Sequence, residues 1–127
     1  MGRKIVAVLA GVFAAGLVIL AVEALAHQLV AAQRAGVPTT AMLLFVALAW
    51  LLGSFTGALI AQRIDHSRRP IPALLVGGIL LALAVFNLVT LPHPAWFRVL
   101  GVLVFIPGTV LGIFIARRRQ HRRRAMA

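Results

Sequence analysis

Residues 5–32 read IVAVLAGVFAAGLVILAVEALAHQLVAA. The run is longer than the ~20 residues an α-helix needs to cross the hydrocarbon core of a bilayer. Its only ionisable side chains are Glu23, the single glutamate of the chain, and His27, one helical turn later. An ionisable group inside a span is costly and by default marks a functional site. VEALAH is therefore both part of a membrane helix and the first candidate site. Arg3, Lys4 and the small residues Ala24-Leu25-Ala26 imitate a secretory signal. The apolar run is too long for a signal core, however, and Glu23 stands where cleavage would fall, so a retained span is expected.

Working outward, the same pattern recurs. Further apolar runs cover residues 40–62, 71–91 and 95–116, and a basic tail follows at 117–127. The breakers between them are Gly36 and Pro38 in QRAGVPTT (33–40), the prolines of QRIDHSRRPIP (62–72), and Pro92-His93-Pro94. With 62% hydrophobic residues in a chain of 127, soluble folding is excluded. The expected fold is an all-α membrane protein, a single-domain bundle of four transmembrane helices. The absence of cysteine excludes disulfides, thiolate metal sites and cysteine nucleophiles. There is no Ser/His/Asp arrangement, no second carboxylate inside a span and no phosphate-cradling loop, so an enzyme is not expected.

A net charge of +11 would point to nucleic acid in a soluble protein. Here the charges fall in the connections between spans, where they set orientation and meet anionic headgroups. No nucleic-acid partner is expected. Arg3, Lys4, Arg63, Arg68, Arg69 and the tail arginines Arg117, Arg118, Arg119, Arg122, Arg123 and Arg124 fall on one side, and only Arg34 and Arg98 on the other. Eleven against two places both termini in the cytoplasm of a bacterial inner membrane. Trp96 and Phe97 then sit at the outer interface as belt aromatics, and the six tail arginines anchor the chain to anionic lipid.

The second and fourth spans share a motif. GSFTGALIAQR (53–63) and GTVLGIFIARR (108–118) both fit G-[ST]-x-x-G-x-x-I-A-[QR]-R, at an offset of 55 residues. A nine-residue insertion in the first outer loop makes the earlier offset 64, which pairs Glu23 with Asn87. The chain then reads as two pseudo-symmetric helical hairpins, N-in and C-in. Duplicated or not, Gly53/Gly57/Ala61 and Gly108/Gly112/Ala116 form smooth strips for close helix packing, within one chain or between copies.

The polar residues gather toward one end. At ~1.5 Å per residue from Ile5, Glu23 lies about 27 Å along the first helix, near the outer edge of the core. His27, Asn87, Thr90, His93 and Arg98 arrive at similar height. Three readings compete for this cluster. In the first, Glu23 hydrogen-bonds His27 and pairs with Arg98 or Arg34 as a clamp between helices. Alternatively, the carboxylate and imidazole exchange a proton or bind a cation during transport. Finally, Glu23, His27 and His93 supply three ligands to Zn²⁺ with a fourth position open, or belong to a haem site. No cofactor is required by the sequence. Elsewhere, Asp65 and His66 read as a solvated charge cluster beside Arg63 and Arg68. Trp50 lies near mid-membrane, facing lipid or a buried partner for its N–H. Pro107 predicts a kink that frees a carbonyl.

VEALAH, GSFTGALIAQR and NLVTLPHPAWF (87–97) together resemble a group of small four-span bacterial membrane proteins. The resemblance covers nearly the whole chain and implies architecture alone. Ala26 stands where that pattern has glycine. The Asn and Thr-Phe-Ser-Thr-Phe motifs of fluoride channels are absent. Small multidrug transporters share a lone glutamate in the first span, but theirs lies nearer mid-membrane and their flanking pattern is not present. The leading expectation is transport of a small cation or proton-coupled solute through Glu23, His27, Asn87 and His93. The rival is a structural or accessory subunit, as a homo-oligomer or within a larger membrane complex, and a metal- or haem-binding protein is third.

Overall fold

The computed structural model describes residues 1–30 and 39–127. Most of the turn expected over 33–40, with Arg34, Gly36 and Pro38, lies outside the described residues, as does the insertion that the repeat requires. The described chain is helical: α1 (Gly2–Val30), α2 (Thr40–Asp65), α3 (Ile71–Thr90), α4 (Ala95–Leu103) and α5 (Phe105–Met126). The last two follow one another along a single span, Ala95–Met126, so four helices are long and apolar enough to cross a membrane. This is the four-span membrane bundle that the hydropathy pattern predicts.

Local chemistry sets the helix ends. Thr39 takes an extended conformation and its Oγ1 accepts from the Met42 N–H at 3.3 Å, capping α2. At the other end His66 turns into the left-handed region (φ 55°) and donates its N–H to the Gln62 carbonyl at 3.2 Å. Pro72 sits in the first turn of α3, where its missing N–H costs nothing. Pro94 then precedes Ala95 at the start of α4.

Two helices outrun their apolar segments. The span expected over 40–62 stays helical to Asp65, and the tail expected after 116 continues as helix to Met126. Hydropathy marks where a chain leaves lipid. Arginine, glutamine and alanine keep helical geometry beyond that point because their propensity is high. Near the kink expected from Pro107, the helix is interrupted at Val104, three residues earlier. Proline has no N–H for the carbonyl four residues back, Leu103, and its ring crowds that oxygen. The ladder resumes with Gly108 N–H to the Val104 carbonyl at 3.3 Å.

Packing centres on α2, which lies along α1 on one side and α5 on the other, while α3 leans across α1, α2 and α5. Between apolar helices in lipid there is no hydrophobic drive, so close backbone approach carries the association. On α1 the strip is Ala7, Gly11 and Ala15, four residues apart and buried. It meets α2 in antiparallel register, with Arg3 Nε on the Ile64 carbonyl at 2.7 Å and Gly11 on Gly57 further along. A methyl added at Gly53 would stand 2.6 Å from Ile19 Cγ1. On the other side of α2, a methyl at Gly112 would stand 2.5 Å from the Phe55 carbonyl oxygen, and one at Gly108 would strike Ser54 Oγ. A methyl at Gly77 of α3 would likewise stand 2.6 Å from Thr109 Oγ1.

The two copies of the motif are therefore not used alike. Gly53 and Gly57 seat α2 on α1, whereas Gly108 and Gly112 seat α5 on α2. Under two equivalent hairpins the second copy would face α3 instead.

Candidate functional site

The groove between α1 and α3 is built from two matching helix faces. Gly16, Leu20 and Glu23 recur at steps of four and three residues along α1, and Leu80, Ala84 and Asn87 do the same along α3. Such steps put three side chains on one face. Trp50 of α2 and Phe105 of α5 close the back, leaving a groove of about 340 Å³ whose lining is apolar except for Glu23, Asn87 and the indole N–H.

Trp50 reaches this level through the direction of its side chain. The Cα–Cβ bonds of a helix tilt toward its own N-terminus. Because α1 and α2 are antiparallel, Glu23 leans back toward the end carrying the termini and Trp50 leans the opposite way. They converge, and the indole and the Glu23 carboxyl line the same groove. The indole is 6% exposed and held by two aromatic neighbours, Phe97 and Phe105, each at a centroid distance of 5.7 Å. Gly101 makes room for it, since a methyl there would stand 2.8 Å from Trp50 Cζ3. Trp50 is thus buried against Phe97 and Phe105 rather than turned to lipid.

The remaining expected site residues are placed elsewhere. His27 is exposed one turn beyond Glu23, within electrostatic reach of the carboxyl but outside the groove lining. Thr90 Oγ1 donates back to the Phe86 carbonyl of its own helix at 2.8 Å. His93 Nδ1 lies 2.9 Å from the Leu91 carbonyl oxygen, and its ring stacks on Phe97 at 5.2 Å. This use in the PHP turn engages His93 with Leu91 and Phe97, outside the lining that holds Glu23. Arg98 is exposed, and the groove wall contains neither Arg98 nor His93. The expected triad of Glu23, His27 and His93 does not assemble: among the described residues no three such side chains gather to hold a metal ion. Of the expected cluster, the structure brings together Glu23 and Asn87.

Two further corrections concern the ends of the spans. Phe97, expected at the interface beside Trp96, is fully buried as the hub of Trp50, His93 and Trp96. Trp96 keeps the belt position at 43% exposure. Asp65, expected in a solvated cluster, is buried and accepts from Ser67 Oγ. Beside it Gln62 is wholly buried, donating Nε2 to the Ser67 carbonyl at 2.9 Å. Gln62 had a sequence signal, since Ser54, Ala58 and Gln62 continue a four-residue stripe along the α5-facing side of α2.

Compared with known proteins, the chain matches no family model, no curated protein and no solved structure.

Proposed function

We propose that this chain is a multi-pass bacterial inner-membrane protein, both termini cytoplasmic, that moves a small cation or a proton-coupled solute through the Glu23 groove. The observation that carries the reading is the only carboxyl group within a span lining a groove with Asn87 and Trp50. An ionised carboxylate at that depth is unfavourable unless a proton, a cation or a donor compensates it. The Trp50 N–H is a donor in the same lining. The carboxyl lone pairs and the Asn87 amide oxygen remain available as hard acceptors for a cation. The aliphatic walls suit the apolar part of an organic cation.

Below the groove Gly11, Gly57 and Val76 are in close contact, so passage to the other side requires that seam to part. The break at Val104, immediately beside Phe105 at the back of the groove, supplies a point for such a movement.

The test is flux in proteoliposomes carrying a pH-sensitive dye, with a panel of monovalent cations and lipophilic amines. Glu23→Gln should abolish proton-linked flux while the protein remains helical and monodisperse. Equal flux in the variant, or none in the native chain across the panel, would sink the reading.

A second reading is an accessory subunit or homo-oligomer. It is favoured by the outer face of α3, where Gly78 is exposed beside Leu74 and Leu75 and a methyl on it would meet nothing. Native mass spectrometry from lipid nanodiscs reads the assembly state directly.

A further inference from the structure

The six tail arginines do not form one face. On α5, Ala116, Arg119, Gln120, Arg123 and Arg124 recur at helical spacing toward the end of α2, where Arg63 and His66 form the opposite wall. The cleft between them has a volume of about 310 Å³. A second cleft of about 320 Å³ adjoins it and shares His66, Gln120 and Arg124, with Ser67, Arg68, Arg117 and His121 completing its wall. Arg118 and Arg122 line neither cleft; they lie beside Ile115 in a separate recess whose edge Arg119 shares, with the Arg118 guanidinium 5.1 Å from the Phe114 ring centroid.

The first cleft has fixed walls. Gln120 Nε2 donates to the Gln62 carbonyl at 3.2 Å, and Arg117 donates to the Arg68 carbonyl. The helix carrying the arginines is thereby tied to the α2–α3 turn through backbone oxygens. Carboxylates play no part in this. The chain has two acidic side chains against thirteen lysines and arginines. Glu23 lies in the groove. Asp65 is buried against Ser67 and lines neither cleft. The C-terminal dipole of α2 offsets only about half a charge. Arg63, Arg119, Arg123 and Arg124 are thus gathered around one cavity with no counter-charge from the chain's own side chains.

We propose that this cleft binds a phosphate-bearing anion. Arginine recognises phosphoryl oxygens through paired, planar N–H donors, and the adjoining cleft gives room for a second phosphoryl group. The ligand chemistry is that of two phosphoryl groups on one molecule, carried either by an anionic lipid headgroup or by a soluble phosphate compound. The assignment is independent of the transport reading and distinguishes Arg63 and Arg123 from Arg118 and Arg122, which a diffuse lipid anchor would not.

The test uses the full chain in detergent, titrated with cardiolipin against phosphatidylcholine, and separately with pyrophosphate, by native mass spectrometry. Cardiolipin or pyrophosphate should bind in preference to phosphatidylcholine. Arg123→Gln, at the solvated end of α5, should weaken binding roughly tenfold, as loss of one charge-assisted contact does. Arg63→Gln should do the same, and Arg118→Gln should leave affinity unchanged. Binding of cardiolipin alone assigns the ligand as a headgroup, and binding of pyrophosphate assigns it as soluble. Equal weakening by Arg118→Gln and Arg123→Gln, or binding of neither cardiolipin nor pyrophosphate, would overturn the proposal.

Discussion

Gly11 and Gly57 stand backbone against backbone: a methyl on Gly11 would lie 2.7 Å from the Gly57 carbonyl oxygen, and a methyl on Gly57 would lie 2.8 Å from that of Gly11. Neither neighbour is a flexible side-chain end that could rotate away, so relief requires the helices to separate. Gly11→Ala and Gly57→Ala should each destabilise the fold by about 1–3 kcal/mol, the usual cost of overpacking. Gly78→Ala is the control. Its methyl meets nothing within 4 Å, and alanine has the higher helix propensity, so stability should hold or rise by up to about 1 kcal/mol. Thermal unfolding in detergent, followed by circular dichroism, ranks the three.

Glu23 and Asn87 share a groove from which His93 is absent, and this separates two sets of residues that the sequence groups together. If flux runs through the groove, Asn87→Leu should reduce it by roughly ten- to a hundredfold, the cost of one hydrogen bond to a charged group. His93→Phe should leave flux at the native level, because the ring's role is to stack on Phe97 at the turn. Measurement in the same proteoliposomes as Glu23→Gln decides it, and a loss of flux in His93→Phe with Asn87→Leu unaffected would return the site to the rim.

The spans were legible because a bilayer demands an uninterrupted apolar stretch for each crossing, and nothing else in 127 residues competes with that signal. The meeting of Glu23 with Asn87 was legible too, from their matching heights and from the repeat offset. Trp50 was not. Its place in the site depends on which way side chains lean on antiparallel helices and on the space left by Gly101, neither of which is a sequence period. His93 misled for a related reason. A histidine between two prolines at the right height looks like a ligand, but height says nothing of direction, and the PHP turn sends the ring onto Phe97. The tail likewise read as a uniform charge run, because the arginine spacing acquires two faces only once α5 is known to remain helical to Met126.

Pro107 leaves the Leu103 carbonyl without its helical donor, and the ladder is interrupted at Val104 while the flanking bonds, Val104 N–H to Leu100 O at 3.0 Å and Gly108 N–H to Val104 O at 3.3 Å, survive. Pro107→Ala should restore the missing bond and join α4 to α5. Hydrogen exchange should show a protected amide at residue 107 and slower exchange at Gly108. Phe105 lines the back of the Glu23 groove, so the straightened helix should also change the fluorescence of Trp50, whose ring contacts it. Unchanged exchange and emission would place the cause of the break in the surrounding packing rather than in the proline.

His66 is the one residue other than glycine with a positive φ among the described residues, at 55°. That conformation closes α2, and an L side chain there costs roughly 1–2 kcal/mol. His66→Gly should therefore raise stability by about 1 kcal/mol, since glycine is the residue this helix end favours. His66→Val, branched at Cβ, should lower it. Yet the imidazole lines both basic clefts, so the glycine variant should gain in thermal unfolding and lose in binding of cardiolipin or pyrophosphate. The opposite signs separate the backbone role from the side-chain role in one variant. A glycine variant that is both more stable and unchanged in binding would confine His66 to the capping role and leave the arginines to hold the anion alone.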